Sequence, residues 1–244
     1  MNAHDPLYIF FHIHKTAGTT FAMHLQENLA GDERLAVYLK SVEVDAFNDS
    51  LAQMPPAQKG RLKVIYGHRV YDGIHKHFNR EARYFTFLRD PVARTLSHYN
   101  GQMQLLEKRH YKKTPGLPFR PQPFKEWLFS DTSQWNAMAQ ELIRVFLQTH
   151  VVREEMNETH LNTAKGVLDR FFFVGATEHY EEDASYLYNL MGITKFVPDC
   201  RVTLKSYYEG DPEEARQWIR QKAPLDVALY SHALRLRRRS QVTT

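Results

Sequence analysis

The chain opens with aromatic and β-branched residues, Leu7-Tyr8-Ile9-Phe10-Phe11-His12-Ile13, and then passes through Gly18 into apolar positions at helical spacing as far as Leu29. That pattern predicts a strand, a tight loop and a helix. Ser41 to Met54 reads as a second helix, stopped by Pro55-Pro56, and Leu62-Lys63-Val64-Ile65-Tyr66 as a strand ending in Gly67-His68. Arg83 to Leu88 is a third strand, ending in Arg89. Asp90-Pro91 then supplies an N-cap and a first-turn proline for a helix running towards Lys112. Thr114 to Pro123 is rich in proline and reads as a loop. Trp135, Met138, Ala139, Leu142, Ile143 and Phe146 fall on one helical stripe that suits a core. Phe171-Phe172-Phe173-Val174-Gly175 reads as a late buried strand, followed by helices at Glu178 to Leu190, Pro212 to Lys222 and Leu225 to Arg239. Strands alternating with helices predict an α/β fold, a mainly parallel sheet flanked by helices, with ligands gathered at the carboxyl ends of the strands.

Composition changes that picture little. With 43% apolar and 25% charged residues, the 244-residue chain has ordinary globular make-up, and no compositional seam divides it, so a single domain over 1–244 is expected. A formal charge of +4, with thirteen histidines besides, suits an anionic ligand. The basic residues are dispersed and carry no RNA-binding signature, so no nucleic-acid partner is expected. The one cysteine, Cys200, closes no internal disulfide. The start, Met1 to Pro6, is polar, and no run reaches the roughly 18 apolar residues of a membrane span. The expected address is the cytoplasm, without a membrane anchor; the oligomeric state is left open.

Two segments carry candidate chemistry. His14-Lys15-Thr16-Ala17-Gly18-Thr19-Thr20 lies between the first strand and its helix, where backbone N–H groups and the helix dipole converge on an anion. Lys15 adds a mobile cation, and Thr19 and Thr20 add hydroxyl donors. The segment is P-loop-like in placement, but it lacks the Gly-x4-Gly-Lys-Ser/Thr spacing of an ordinary ATP-binding loop, which disfavours a kinase or ATPase. Arg89-Asp90-Pro91-Val92-Ala93-Arg94-Thr95-Leu96-Ser97 ends a second strand; Arg89 offers a forked donor, and Ser97 lies about two turns along the helix that Asp90 caps. Each segment alone also reads as a plain helix start.

Together, Phe11 to Phe21 and Phe85 to Ser97 resemble the two cofactor motifs of carbohydrate sulfotransferases, and within them most nearly the heparan sulfate 6-O-sulfotransferases. Asn136 to Arg144, Phe172 to Glu178 and Leu225 to Tyr230 are similar to later segments of that family in the same order, so the likeness runs from Leu7 to about Arg239. The resemblance implies a P-loop-like sulfotransferase fold with extra C-terminal helices and a donor, 3′-phosphoadenosine-5′-phosphosulfate (PAPS). Lys15 would meet the bridging and sulfate oxygens. Thr16, Ala17, Gly18, Thr19 and Thr20 would wrap the 5′-phosphate, and Arg89 and Ser97 would hold the 3′-phosphate. The acceptor would be a hydroxyl, of a saccharide or glycoconjugate.

An acceptor hydroxyl must lose its proton, and histidine is the usual agent near neutral pH. His68, at the end of a strand directly after Gly67, is the candidate base, in a Gly-His placement that resembles the region carrying the base in related sulfotransferases. His14 is the rival, in a slot where relatives usually carry proline or glutamine. His12 with His14, and His75 with His77, alternate as zinc-binding pairs do, but no cysteine or carboxylate cluster completes a site, so no metal is expected. Within Cys200-Arg201-Val202-Thr203-Leu204-Lys205-Ser206, Lys205 falls where relatives cover the nucleotide with a basic stretch. Lys108, Arg109, Lys112, Lys113 and Arg120 suit either an acceptor-facing surface or a solvated helix end. Arg235, Arg237, Arg238 and Arg239 read as the polar end of the last helix, with no chemistry. The competing reading is a nucleotide- or RNA-binding module without turnover, and a kinase-like phosphotransferase stands third.

Overall fold

The computed structural model describes residues 5–38, 44–114, 116–130, 135–196 and 205–242, with side chains in the last helix described as far as Arg238. In chain order the elements are β1 (Leu7–Phe11), α1 (Gly18–Asn28), β2 (Arg34–Ala36), α2 (Val44–Gln53), α3 (Pro56–Arg61), β3 (Val64–Gly67), β4 (Ala82–Leu88), α4 (Pro91–Lys113), α5 (Phe124–Phe129), α6 (Ala137–Glu141), α7 (Glu158–Asp169), β5 (Phe173–Ala176), α8 (Tyr180–Met191), α9 (Pro212–Lys222) and α10 (Pro224–Val242).

Among the described residues the strands form one five-stranded sheet in the order β2-β3-β1-β4-β5, and every pairing is parallel. β1 is central and buried throughout, as a strand covered on both faces must be. Its side chains alternate between two cores. Leu7, Ile9 and Phe11 join Met138, Leu142, Leu161 and Leu229 under α6, α7 and α10, whereas Tyr8 and Phe10 join Phe21, Leu25, Leu187 and Tyr188 under α1 and α8. A third cluster, with Tyr99, Met103, Trp127 and Ile219, packs α4 against α5 and α9.

The expected α/β architecture is present, with local differences. β2 has two half-exposed residues and one exposed residue at the sheet edge, too short to leave an alternation. The helix expected over 41–54 is Val44–Gln53, and residues 41–43 lie outside the described residues. The stripe from Met138 to Phe146 is buried, but the helix widens to a π turn at Leu142–Phe146, where Leu147 N donates to Leu142 O at 3.1 Å; Trp135 precedes the helix. α4 starts as expected, the Asp90 carboxylate accepting from the amides of Val92 and Ala93 at 3.0 Å.

Two remote caps tie the C-terminal helices to the rest. Asn136 Oδ1 accepts from the amides of Leu225 and Asp226 at the start of α10, and the Asp226 carboxylate accepts in return from Met138 and Ala139 in α6. Arg237 departs from the reading of the last arginines as the polar end of the helix. It is buried, and its Nε donates to both oxygens of Asp183 at 2.8 and 2.9 Å. Asp183 also accepts from the amide of Ala176, so the pair fastens α10 to the end of β5. The arginine falls on the inward face of α10, a phase that a run of like charges conceals.

Candidate functional site

The loop from β1 to α1 bends through two residues with positive φ, Lys15 (70°) and Ala17 (62°), a conformation L-residues adopt only when their surroundings enforce it. Thr16 is buried between them, its hydroxyl donating to Ile13 O at 2.8 Å. Gly18 is required by contact: a Cβ there would stand 2.0 Å from the His12 ring. α1 starts with no side-chain cap and no acidic residue in its first turn, so its dipole is left for an anion to complement.

β1 and β4 are neighbours, so the motifs that end them meet. Arg89 Nη1 donates to Lys15 O at 3.3 Å, while its Nε is buried without a hydrogen-bond partner. Burial pushes the Arg89 guanidinium below its ordinary value, against the opposing pull of Glu178 and Asp90. Lys15, Ala17, Gly18, Thr19 and Thr20 line one cleft of about 590 Å³ together with Arg89 and Ser97. That volume suits a nucleotide-sized ligand. Thr16 does not line the cleft, since its hydroxyl is turned inward to Ile13. On the far wall, the Lys15 ammonium lies 3.2 Å from where a Cβ on Gly101 would be, so the glycine makes room for the lysine against α4.

His12, His14 and His68 line the same cleft and form a stack. The His68 ring lies between His12 (centroids 3.9 Å apart, 29° between planes) and His14 (3.7 Å, 6°). Gly67, at φ 146°, delivers it there, and a Cβ at that position would lie 2.2 Å from Val37 O. His68 Nδ1 is 2.6 Å from His12 O. A carbonyl only accepts, so Nδ1 carries the proton and Nε2 keeps a free lone pair. Burial first, then His14, bring the His68 pKa down to about 4, against the raising influence of the His12 carbonyl and Glu141. The imidazole is therefore neutral at pH 7. His12 is held well below the ordinary histidine value by burial, with His68 and His14 adding to it.

Two groups that act electrostatically on or from this stack left no sequence signal. Glu141 Oε2 accepts from the His14 amide at 3.0 Å and lies 3.1 Å from His14 Nδ1. Burial alone would raise the Glu141 pKa, but His14 and Arg94 together hold it below the usual carboxylate range. In the sequence it is one polar position of an amphipathic helix. His98, on α4, is brought down to about 4 by burial, then by Arg94, Lys15 and His14. The Trp127 indole donates to Gln102 Oε1 at 2.7 Å, which leaves the Gln102 amide nitrogen to donate to His98 Nε2 at 3.1 Å, so His98 carries its proton on Nδ1.

Other sequence candidates lie elsewhere. Lys205 does not line the cleft; its ammonium pairs with Glu107 at 2.6 Å and sits over the Tyr207 ring. Cys200 to Leu204 lie outside the described residues. Lys108, Arg109, Lys112, Lys113 and Arg120 are exposed and away from the cleft. His75 Nδ1 is bonded to the Tyr84 hydroxyl at 2.9 Å. Among the described residues, no group of three His, Cys, Asp or Glu side chains is gathered as a metal site, and no helix is long and apolar enough to cross a membrane.

A parallel sheet with an uncapped, lysine-bearing loop after its central strand, faced by an arginine from the next strand, defines a nucleotide-binding α/β protein. The family model described as the sulfotransferase family matches residues 2–226, and the chain belongs to that family. No curated protein matches the sequence. Among solved structures, a mouse sulfotransferase complexed with PAP is 12% identical with a TM-score of 0.38, the match covering 91% of this chain and 66% of that one. A retinol dehydratase in complex with androsterone and inactive cofactor PAP is also 12% identical, with a TM-score of 0.30, covering 91% of this chain and 81% of that one.

Proposed function

We propose that the chain transfers a sulfuryl group from PAPS to a hydroxyl acceptor, with a saccharide or glycoconjugate as the acceptor class. The observation that carries the reading is the meeting of Lys15 and Arg89 on one cleft, since a donor with phosphate at both the 3′ and the 5′ position of its ribose needs two separated anion sites. The residues fit that donor. The uncapped start of α1, with Gly18, Thr19 and Thr20, suits the 5′-phosphate, and Arg89, with its unpartnered Nε, and Ser97 suit the 3′-phosphate.

Sulfuryl transfer follows the logic of phosphoryl transfer, an in-line displacement that rests on positioning and charge neutralisation. The acceptor oxygen forms a bond to sulfur as the bond from sulfur to the bridging phosphate oxygen breaks. The acceptor proton passes to His68 Nε2, and the nucleotide leaves as 3′-phosphoadenosine-5′-phosphate (PAP). Lys15 stabilises the negative charge growing on the departing phosphate. The donor's own charge favours the imidazolium, so His68 becomes a stronger base once the donor is bound. The single cysteine supports a reducing, cytoplasmic setting. Incubation with sulfate-labelled PAPS and a panel of glycans and phenols tests the reading. Label should move to a glycan hydroxyl; a protein that binds PAP yet labels nothing contradicts it.

A further inference from the structure

We infer that His14, clamped by Glu141 and Arg94, is a positioning residue that holds the His68 ring where its Nε2 meets the acceptor hydroxyl; the inference rests on the sulfuryl-transfer reading, with His68 as base. Three groups of His14 are fixed from outside its own loop. The amide and ring Nδ1 are both bonded to Glu141 Oε2, and the carbonyl oxygen accepts from Arg94 Nε at 3.2 Å. Arg94 is 1% exposed and lies 4.0 Å from Glu141 Oε1, so the clamp is anchored in the interior although the His14 side chain itself is 53% exposed.

A half-exposed loop side chain without such anchors would populate several rotamers. Here the ring instead lies flat against His68, 3.7 Å away and within 6° of parallel. His12 covers the opposite face of His68 and cannot retreat, because its own ring packs directly on Gly18. The sandwich blocks tilting of His68, and the bond from Nδ1 to His12 O blocks rotation within the plane. What remains is a single orientation of Nε2. Removing the His14 ring frees one face of the base and leaves its tautomer intact.

The charged and titratable groups around the stack among the described residues are His12 and Lys15 from the first loop, Tyr38 edge-on to the His68 ring, Arg69 beside the base, Arg94 and His98 from α4, and Glu141 from α6. His14 lowers the His68 pKa and Glu141 raises it, so replacing His14 with an uncharged side chain moves His68 upward. A stacking role and a charge role therefore separate. Phenylalanine keeps the flat face and loses the ring nitrogens, whereas alanine loses both.

The test compares His14→Phe, His14→Ala and His68→Ala in steady-state transfer assays, with an NMR titration of the His68 ring in the first two. His14→Ala should lower kcat about 10- to 100-fold, as misplacement of a reacting group does, with the donor KM changed by less than about threefold. His14→Phe, which keeps the flat face and the backbone half of the clamp but not the ring bond to Glu141, should recover part of that loss, and the His68 titration should move above about 4 in both variants. Wild-type kcat in His14→Ala, or a His14→Phe enzyme as slow as His14→Ala, overturns the inference; an unmoved titration removes the charge role alone. His68→Ala separates the two claims: silent beside a fully active His14→Ala, it overturns the positioning role alone, and active, it removes the base reading and the inference with it.

Discussion

Arg89 Nη1 reaches across 74 residues of chain to donate to the backbone carbonyl of Lys15 at 3.3 Å. The bond joins the loops that end two neighbouring strands and sets the two cations on one cleft. It also helps hold Lys15 in its left-handed conformation, which no glycine is present to ease.

Lys15→Ala removes the cation assigned to the leaving group and leaves the backbone cradle in place. Turnover should fall about 10²- to 10³-fold, the usual loss for one transition-state donor, with PAP affinity changed far less. Parallel rate and calorimetric measurements check the split.

Gly18→Ala places a methyl group 2.0 Å from the His12 ring. Overpacking of this kind costs about 1–3 kcal/mol, and the displaced His12 ring no longer covers its face of His68. Melting temperature and turnover should fall together, whereas Gly60→Ala, in α3 with nothing near its Cβ position, should lower neither.

Acid should begin to destabilise the fold as the pH falls below 6.5, through its buried histidines. His68 and His98 have folded values of about 4 against 6.5 for the free side chain, so between those limits the unfolded chain binds more protons. Their contribution is complete above pH 6.5 and is lost as the pH falls towards 4, at up to about 1.4 kcal/mol per pH unit for each group. Urea midpoints at pH 7.5 and pH 5 measure it. A bound anionic nucleotide should raise the His68 value, visible as a shift of its ring titration on adding PAP.

Arg237→Ala leaves the buried carboxylate of Asp183 without its partner at the end of β5. Breaking a buried pair costs about 3–5 kcal/mol, so chemical denaturation should show a large loss of stability in a residue outside the cleft.

The strands, and the helices with clean start signals, were legible because local chemistry announces them. Asp90-Pro91 caps α4 in the structure as it does on paper, and the β1 run is continuous because both faces of that strand are covered. β2 was missed because three edge residues carry no period. Lys15, Arg89 and His68 could be singled out because strand ends in a parallel sheet share one edge. Glu141 and His98 could not, since their place depends on how α6 and α4 pack across that edge. The inward place of Arg237 is set by helical phase, which a cluster of four arginines blurs in the sequence.

The most direct test of the central claim is calorimetric binding of PAP and of adenosine 5′-monophosphate to the wild-type protein, Lys15→Ala and Arg89→Ala. A charge-assisted bond of about 1.5–3 kcal/mol corresponds to roughly 10- to 150-fold in affinity. PAP should bind the wild type tighter by that order, keep its advantage in Lys15→Ala and lose it in Arg89→Ala. Equal affinities for the two nucleotides in the wild type, or an advantage untouched by Arg89→Ala, would contradict the account.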